Sequence, residues 1–98
     1  MESVYESCLV EELAKRHLAF RRQVAVLIVY KGKPIDYGHR ADLIVENELL
    51  LELKSVVRLA PIHTSQVLTY LKLIDLHHGL IINFNVRRLS HGLKNFLR

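Results

Sequence analysis

The sequence has one cysteine, one methionine, no tryptophan, two prolines and four glycines in 98 residues. A lone Cys8 has no partner for an internal disulfide and no second cysteine for a zinc-finger pattern. A reducing, cytoplasmic compartment is therefore expected. Apolar residues make up 50% of the chain, which excludes a disordered or collagen-like polymer. Uncharged apolar stretches, such as Gly79 to Val86, fall far short of the roughly 20 apolar residues of a spanning helix. The start, Met-Glu-Ser, lacks the basic-then-apolar layout of a secretion signal. A soluble chain with no membrane partner follows. The length leaves room for one domain, residues 1–98. A core this small leans readily on a second copy, so a homodimer or other homo-oligomer is an expectation.

What is present is a surplus of positive charge. Fourteen Lys and Arg face ten Asp and Glu, a net charge of +4. The basic groups cluster at Lys15-Arg16, Arg21-Arg22, Lys31 with Lys33, and Arg87-Arg88 with Lys94 and Arg98. That distribution suits phosphate contact, although most such side chains only solvate a surface. Six histidines show no zinc spacing.

From Glu2 to His17, Tyr5, Leu9 and Leu13 recur at helical spacing, flanked by Val4 and Cys8, and Cys8 is expected in the core. The β-branched run Val24 to Val29 predicts a strand from Gln23 to Tyr30, and Lys31 to Pro34 a turn. A second strand, with Gly38 as a point of interruption, is expected from Ile35 to Val45. A third runs from Leu49 to Val56, joined to it through Glu46-Asn47-Glu48. Pro61 opens a second helix that ends near His77-His78, with Gly79 as its C-terminal cap. Leu80 to Phe84 reads as a fourth strand, and the basic tail from Arg87 to Arg98 as a short last helix. The order α-β-β-β-α-β implies an α/β fold with a mixed sheet flanked by helices.

Three charges interrupt these apolar strands: Asp42, Glu52 and Lys54. Unpaired charge is costly to bury. Alternation puts Glu52 and Lys54 on one strand face. Pairing Val45 with Leu49 and counting outward places Asp42 opposite Glu52, so that two carboxylates stand roughly 5 Å apart. Like charges so placed call for a cation. Two carboxylates, a main-chain carbonyl such as that of Leu53, and waters describe an octahedral Mg²⁺ or Mn²⁺ site. Lys54 would then hold an attacking water or offset charge on a phosphate. The plainer alternative is a structural ion cluster.

These residues carry a resemblance. The strand of Asp42, the tripeptide Glu52-Leu53-Lys54 and the element order are similar to the PD-(D/E)XK nuclease superfamily, whose fold is restriction-endonuclease-like. Within it the chain resembles the small bacterial GxxExxY family, over Glu2 to Glu6, Val29 to Gly32, Tyr37 to Leu43, Glu52 to Val56, Gln66 to Lys72 and Leu80 to Asn85. The resemblance implies Asp42 and Glu52 as metal ligands, Lys54 as the catalytic lysine, and Glu2 as an acid of the first helix that completes the site, with Glu6 as its rival. It also implies that Gln66 and Tyr70, one helical turn apart, contact nucleic acid. His63, a turn before Gln66, either joins them at a phosphate or caps and packs. The glycine that opens the family motif would precede Met1. Its absence leaves two alternatives: a truncated start, or a lesser role for Glu2.

The function expected is metal-dependent hydrolysis of phosphodiester bonds in DNA or RNA, with Mg²⁺ or Mn²⁺ as cofactor and nucleic acid, DNA foremost, as partner. The alternatives are a non-cutting nucleic-acid- or protein-binding module on the same fold, and a structural homo-oligomer.

Overall fold

The computed structural model describes residues 1–98. It comprises α1 (Glu2–Lys15), β1 (Phe20–Tyr30), β2 (Lys33–Val45), β3 (Leu49–Lys54), α2 (Pro61–Ile74), β4 (His78–Asn83), a 3₁₀ turn (Leu89–Gly92) and β5 (Leu93–Leu97). The strands form one sheet in the order β1-β2-β3-β4-β5. Only β3 and β4 run parallel, joined through α2, as a crossover between parallel strands requires. The mixed α/β architecture is the one expected of a restriction-endonuclease-like fold.

Apolar side chains alternate along the strands and build a core on each face of the sheet. On one face Leu50, Ile44, Val26 and Ile81 meet Val67, Tyr70 and Leu71 of α2. On the other, Leu43, Leu51, Leu53 and Ile82 meet Leu13 of α1. Glu52 and Lys54 share the parity of Leu50, so both belong to the α2 face. The ladder of β2 and β3 pairs Val45 with Leu49, Ile44 with Leu50 and Leu43 with Leu51, the register expected from the three-residue connection.

Element ends shift by a few residues, with β1 opening at Phe20, β2 at Lys33, and β3 and α2 closing at Lys54 and Ile74; beyond that, the expected elements differ from the structure in three places. Cys8 is exposed and Val4 is 57% exposed, because the buried stripe of α1 runs through Glu6 and Leu13, on the far side of the helix from both. Gly79 does not cap α2. Asp75, in the left-handed region at φ 62°, does so, and the Leu76 N–H returns to the Leu71 carbonyl. Gly79 lies in β4, where a Cβ would stand 3.1 Å from Val67 Cγ1 and 3.2 Å from Leu71 Cδ1. Its lack of a side chain lets α2 approach the sheet. The tail forms a fifth strand rather than a helix. Paired antiparallel to β4, it satisfies what would otherwise be an open edge, and Phe96 packs against the α2-side core.

No helix is long and apolar enough to cross a membrane. Gly92 holds the 3₁₀ turn against β4 so closely that a Cβ there would overlap the Asn83 carbonyl oxygen. Gly92→Ala should lower stability by about 3 kcal/mol, as overpacking against main chain does. Urea denaturation of the two proteins measures this.

Candidate active site

β2 and β3 part beyond Leu43 and Leu51, and two carboxylates fill the gap. The main-chain N–H of Asp42 donates to Glu52 Oε1 at 3.1 Å. The N–H of Leu53 donates to Asp42 Oδ2 at 2.8 Å. Each acid thus satisfies an amide of the opposite strand that the diverging ladder leaves free. The pairing expected from the sequence is preserved, but as crossed side-chain bonds instead of ladder bonds.

Asp42, on β2, also lies opposite an irregular point of β1. The ladder of β1 and β2 has no step between Gln23 and Asp42, and Gln23 takes φ 48°. On one side of this step Arg22 pairs with Leu43 of the α1-side core, and on the other Val24 pairs with Ala41 of the α2-side core. The strands exchange faces here. The Gln23 side chain is left free to reach along the sheet, 2.7 Å from Glu6 Oε1 and 3.5 Å from Asp42 Oδ1. Arg22 donates to Glu6 Oε2 through Nε at 3.0 Å and Nη2 at 2.9 Å. Glu6, buried on α1, is therefore tied to Asp42 through Gln23.

Glu2 and Glu6 stand one turn apart on α1 with different partners. Glu2 Oε2 accepts the Ser55 N–H at 3.1 Å, which seats the start of α1 beside Lys54. Below it, Tyr5 stacks on Phe84 with ring centroids 4.2 Å apart. Asn83, buried, accepts the Val56 N–H at 3.1 Å and donates to the Val56 carbonyl at 2.9 Å, clamping the chain just after Lys54. Sequence reasoning passed over Asn83, although a polar residue in the apolar run Leu80 to Phe84 carries the same signal that singled out Asp42.

On α2, Tyr70 is buried against the sheet. Burial, then the Glu52 and Asp42 carboxylates, then Tyr37, raise its hydroxyl to about 12. The hydroxyl therefore stays protonated at neutral pH. Gln66 Nε2 lies 3.4 Å from His39 Nδ1. His63 turns back instead: its Nδ1 accepts the Ala60 N–H at 3.0 Å and caps α2. The structure thus gathers Asp42, Glu52, Lys54, Tyr70 and Glu2 at one end of the sheet, places Gln66 beside them along α2, and gives His63 a capping bond.

The sequence matches the PD-(D/E)XK nuclease superfamily over residues 1–96. The chain belongs to the PD-(D/E)XK nuclease superfamily. No curated protein and no solved structure matches it significantly. Nucleases of the PD-(D/E)XK superfamily generally use divalent metals. The acidic residues here fit such an ion in one respect: a buried Glu52 beside Asp42 is electrostatically unfavourable without positive charge. They fall short in another, since no three acidic, histidine or cysteine side chains come together. A main-chain carbonyl and waters must complete any shell.

Burial first, and the Asp42 charge second, push Glu52 from 4.5 up to about 8. A folded-state value above the unfolded one means that protonated Glu52 stabilises the fold fully below about pH 4.5, and that this contribution is lost as pH rises through about 8. Metal-free protein should accordingly lose stability across that window, and Glu52→Gln, neutral throughout, should flatten the slope. Urea titrations in EDTA at several pH values decide it; parallel slopes would mean that Glu52 is already ionised in the acid range.

Proposed function

We propose that this chain is a divalent-metal-dependent phosphodiesterase that hydrolyses nucleic acid, DNA foremost. The observation that carries the reading is the crossed pair of Asp42 and Glu52, with Lys54 next on the same strand face. Asp42, Glu52 and the Leu53 carbonyl would hold Mg²⁺ or Mn²⁺. Bound there, the ion would lower the pKa of a water and offset charge on the scissile phosphate.

The chain's own residues supply the rest. Lys54 orients the attacking water and balances the negative charge that grows on the phosphate oxygens. Tyr70, protonated at neutral pH, donates a hydrogen bond to a phosphate oxygen, and Gln66 helps position the same nucleic-acid strand. Glu2 seats α1 against Ser55, and the Arg22-Glu6-Gln23 chain orients Asp42. These last are positioning residues.

One observation favours a second reading, a module that binds nucleic acid without cutting. Glu6, tied to Asp42 through Gln23 and so a candidate third ligand, is engaged by Arg22.

Circular and end-labelled linear DNA and RNA, incubated with Mg²⁺, Mn²⁺ or EDTA, test both. Metal-dependent cleavage is expected, with Glu52→Gln and Lys54→Ala each lowering kcat by about 10²- to 10⁴-fold while nucleic acid is still bound. Cleavage untouched by Glu52→Gln would overturn the assignment, and salt-sensitive binding with no turnover in any metal would establish the second reading.

A further inference from the structure

Beside the carboxylates, β2 departs from regular pairing in a way the crossed acids do not require. Between Ala25↔Arg40 and Leu27↔Asp36 the register shifts, so that Tyr37, Gly38 and His39 lie opposite Val26 alone. Gly38 takes φ 87°, a conformation that suits glycine. The bulge is fastened from within: the Gly38 N–H donates to Asp36 Oδ1 at 2.8 Å, and Arg40 Nη1 lies 3.2 Å from both Asp36 oxygens. Bulges re-aim side chains, and this one brings the Tyr37 and His39 rings together with centroids 4.9 Å apart.

The two rings are exposed, Tyr37 at 42%. They form one wall of a groove of about 240 Å³ whose other wall is α2, with Ile62, Ser65, Gln66 and Thr69. His39 continues the line inward, 6.1 Å from the Tyr70 ring, and Tyr70 in turn feels the charge of Glu52 and Asp42. An aromatic line therefore runs from solvent to the acidic end of the sheet. The volume is below the roughly 300 Å³ at which drug-sized sites begin, room for one planar ring system. The polar groups of the α2 wall are neutral amide and hydroxyl, which can both donate and accept, as base edges do.

We propose that Tyr37 and His39, facing Gln66, Ser65 and Thr69 across this groove, stack one nucleobase of a single-stranded or frayed nucleic acid beside the phosphate bound at Asp42, Glu52 and Lys54. This deepens the proposed function and rests on it. A base inside a duplex has both faces covered by its neighbours. Only an unpaired or extruded base presents the face that this site takes. The site thus selects single strands or strand ends, and reads little sequence, since every base has a stacking face.

The test measures binding, so that it does not depend on cleavage. Fluorescence anisotropy in EDTA compares a labelled single-stranded DNA oligonucleotide with a fully paired, loop-free duplex clamped by G·C pairs at both ends, for the wild type, Tyr37→Ala and Tyr37→Phe. Tyr37→Ala should weaken single-strand binding about 10-fold, the loss of one stacked base, and leave duplex binding within about twofold. Tyr37→Phe should restore the wild-type value. Because Tyr37 is exposed on the bulge, both variants are expected to melt within a few degrees of wild type, which circular dichroism checks.

Equal weakening on both substrates, no weakening on either, or failure of Tyr37→Phe to rescue would overturn the stacking site. If cleavage assays find metal-dependent turnover while Tyr37→Ala keeps the wild-type preference, the stacking site falls and the nuclease reading stands. The single-strand defect without turnover in any metal leaves the stacking site standing and removes the nuclease reading. Absence of binding to any nucleic acid removes the stacking site, and the cleavage assays with Mg²⁺ and Mn²⁺ then decide the nuclease reading by themselves.

Discussion

The arrangement depends on how two strands separate. β2 and β3 pair for only three steps, and where they part, Asp42 and Glu52 each accept the amide that the other strand has left free. Without those bonds two main-chain N–H groups at the end of an apolar sheet would lack partners, a loss comparable to a broken hydrogen bond apiece. The same exchange brings two carboxylates together where one of them is 3% exposed. A structural need is thus met by groups whose closeness is electrostatically unfavourable unless a proton or a cation is shared between them. The divergence that opens the strands also opens the site.

Several neighbouring features serve this point. The face exchange at Gln23 allows Asp42 to sit between the two cores instead of inside either, and it directs Gln23 toward Glu6. Asn83 and Glu2 secure the chain on the far side of Lys54 by capturing the Val56 and Ser55 amides. β3 keeps its full parallel ladder with β4 through Lys54, so Glu52 and Lys54 ride on a rigid strand while Asp42 approaches from a strand that bends. A site built with one side rigid and the other held by side-chain bonds is well placed to admit a ligand between them.

Much of this was legible in the chain. Alternation and the three-residue connection were enough to pair Val45 with Leu49, and so to bring Asp42 to Glu52 and put Lys54 on the same face. The element order through β4 followed from hydrophobic periodicity and from Pro61. The errors have a common origin: Cys8, Gly79 and the tail were read from local preference, whereas each answers to a neighbour distant in sequence. Gly79 resembles a helix cap until Val67 and Leu71 of α2 are seen above it, and the tail resembles a helix until β4 needs a partner for its edge.

Residue order by itself determined the α/β class, the register of β2 on β3 and the three charges set among apolar neighbours, because periodicity and short connections act over a few residues. Tertiary structure alone decided that Glu6 is held by Arg22 and Gln23, and that the Tyr37 and His39 rings come together beside Gln66. Each of these rests on a bulge, a face exchange or a contact across more than one element. Their cost and reward arise only when the sheet closes, and no local pattern in the sequence records them.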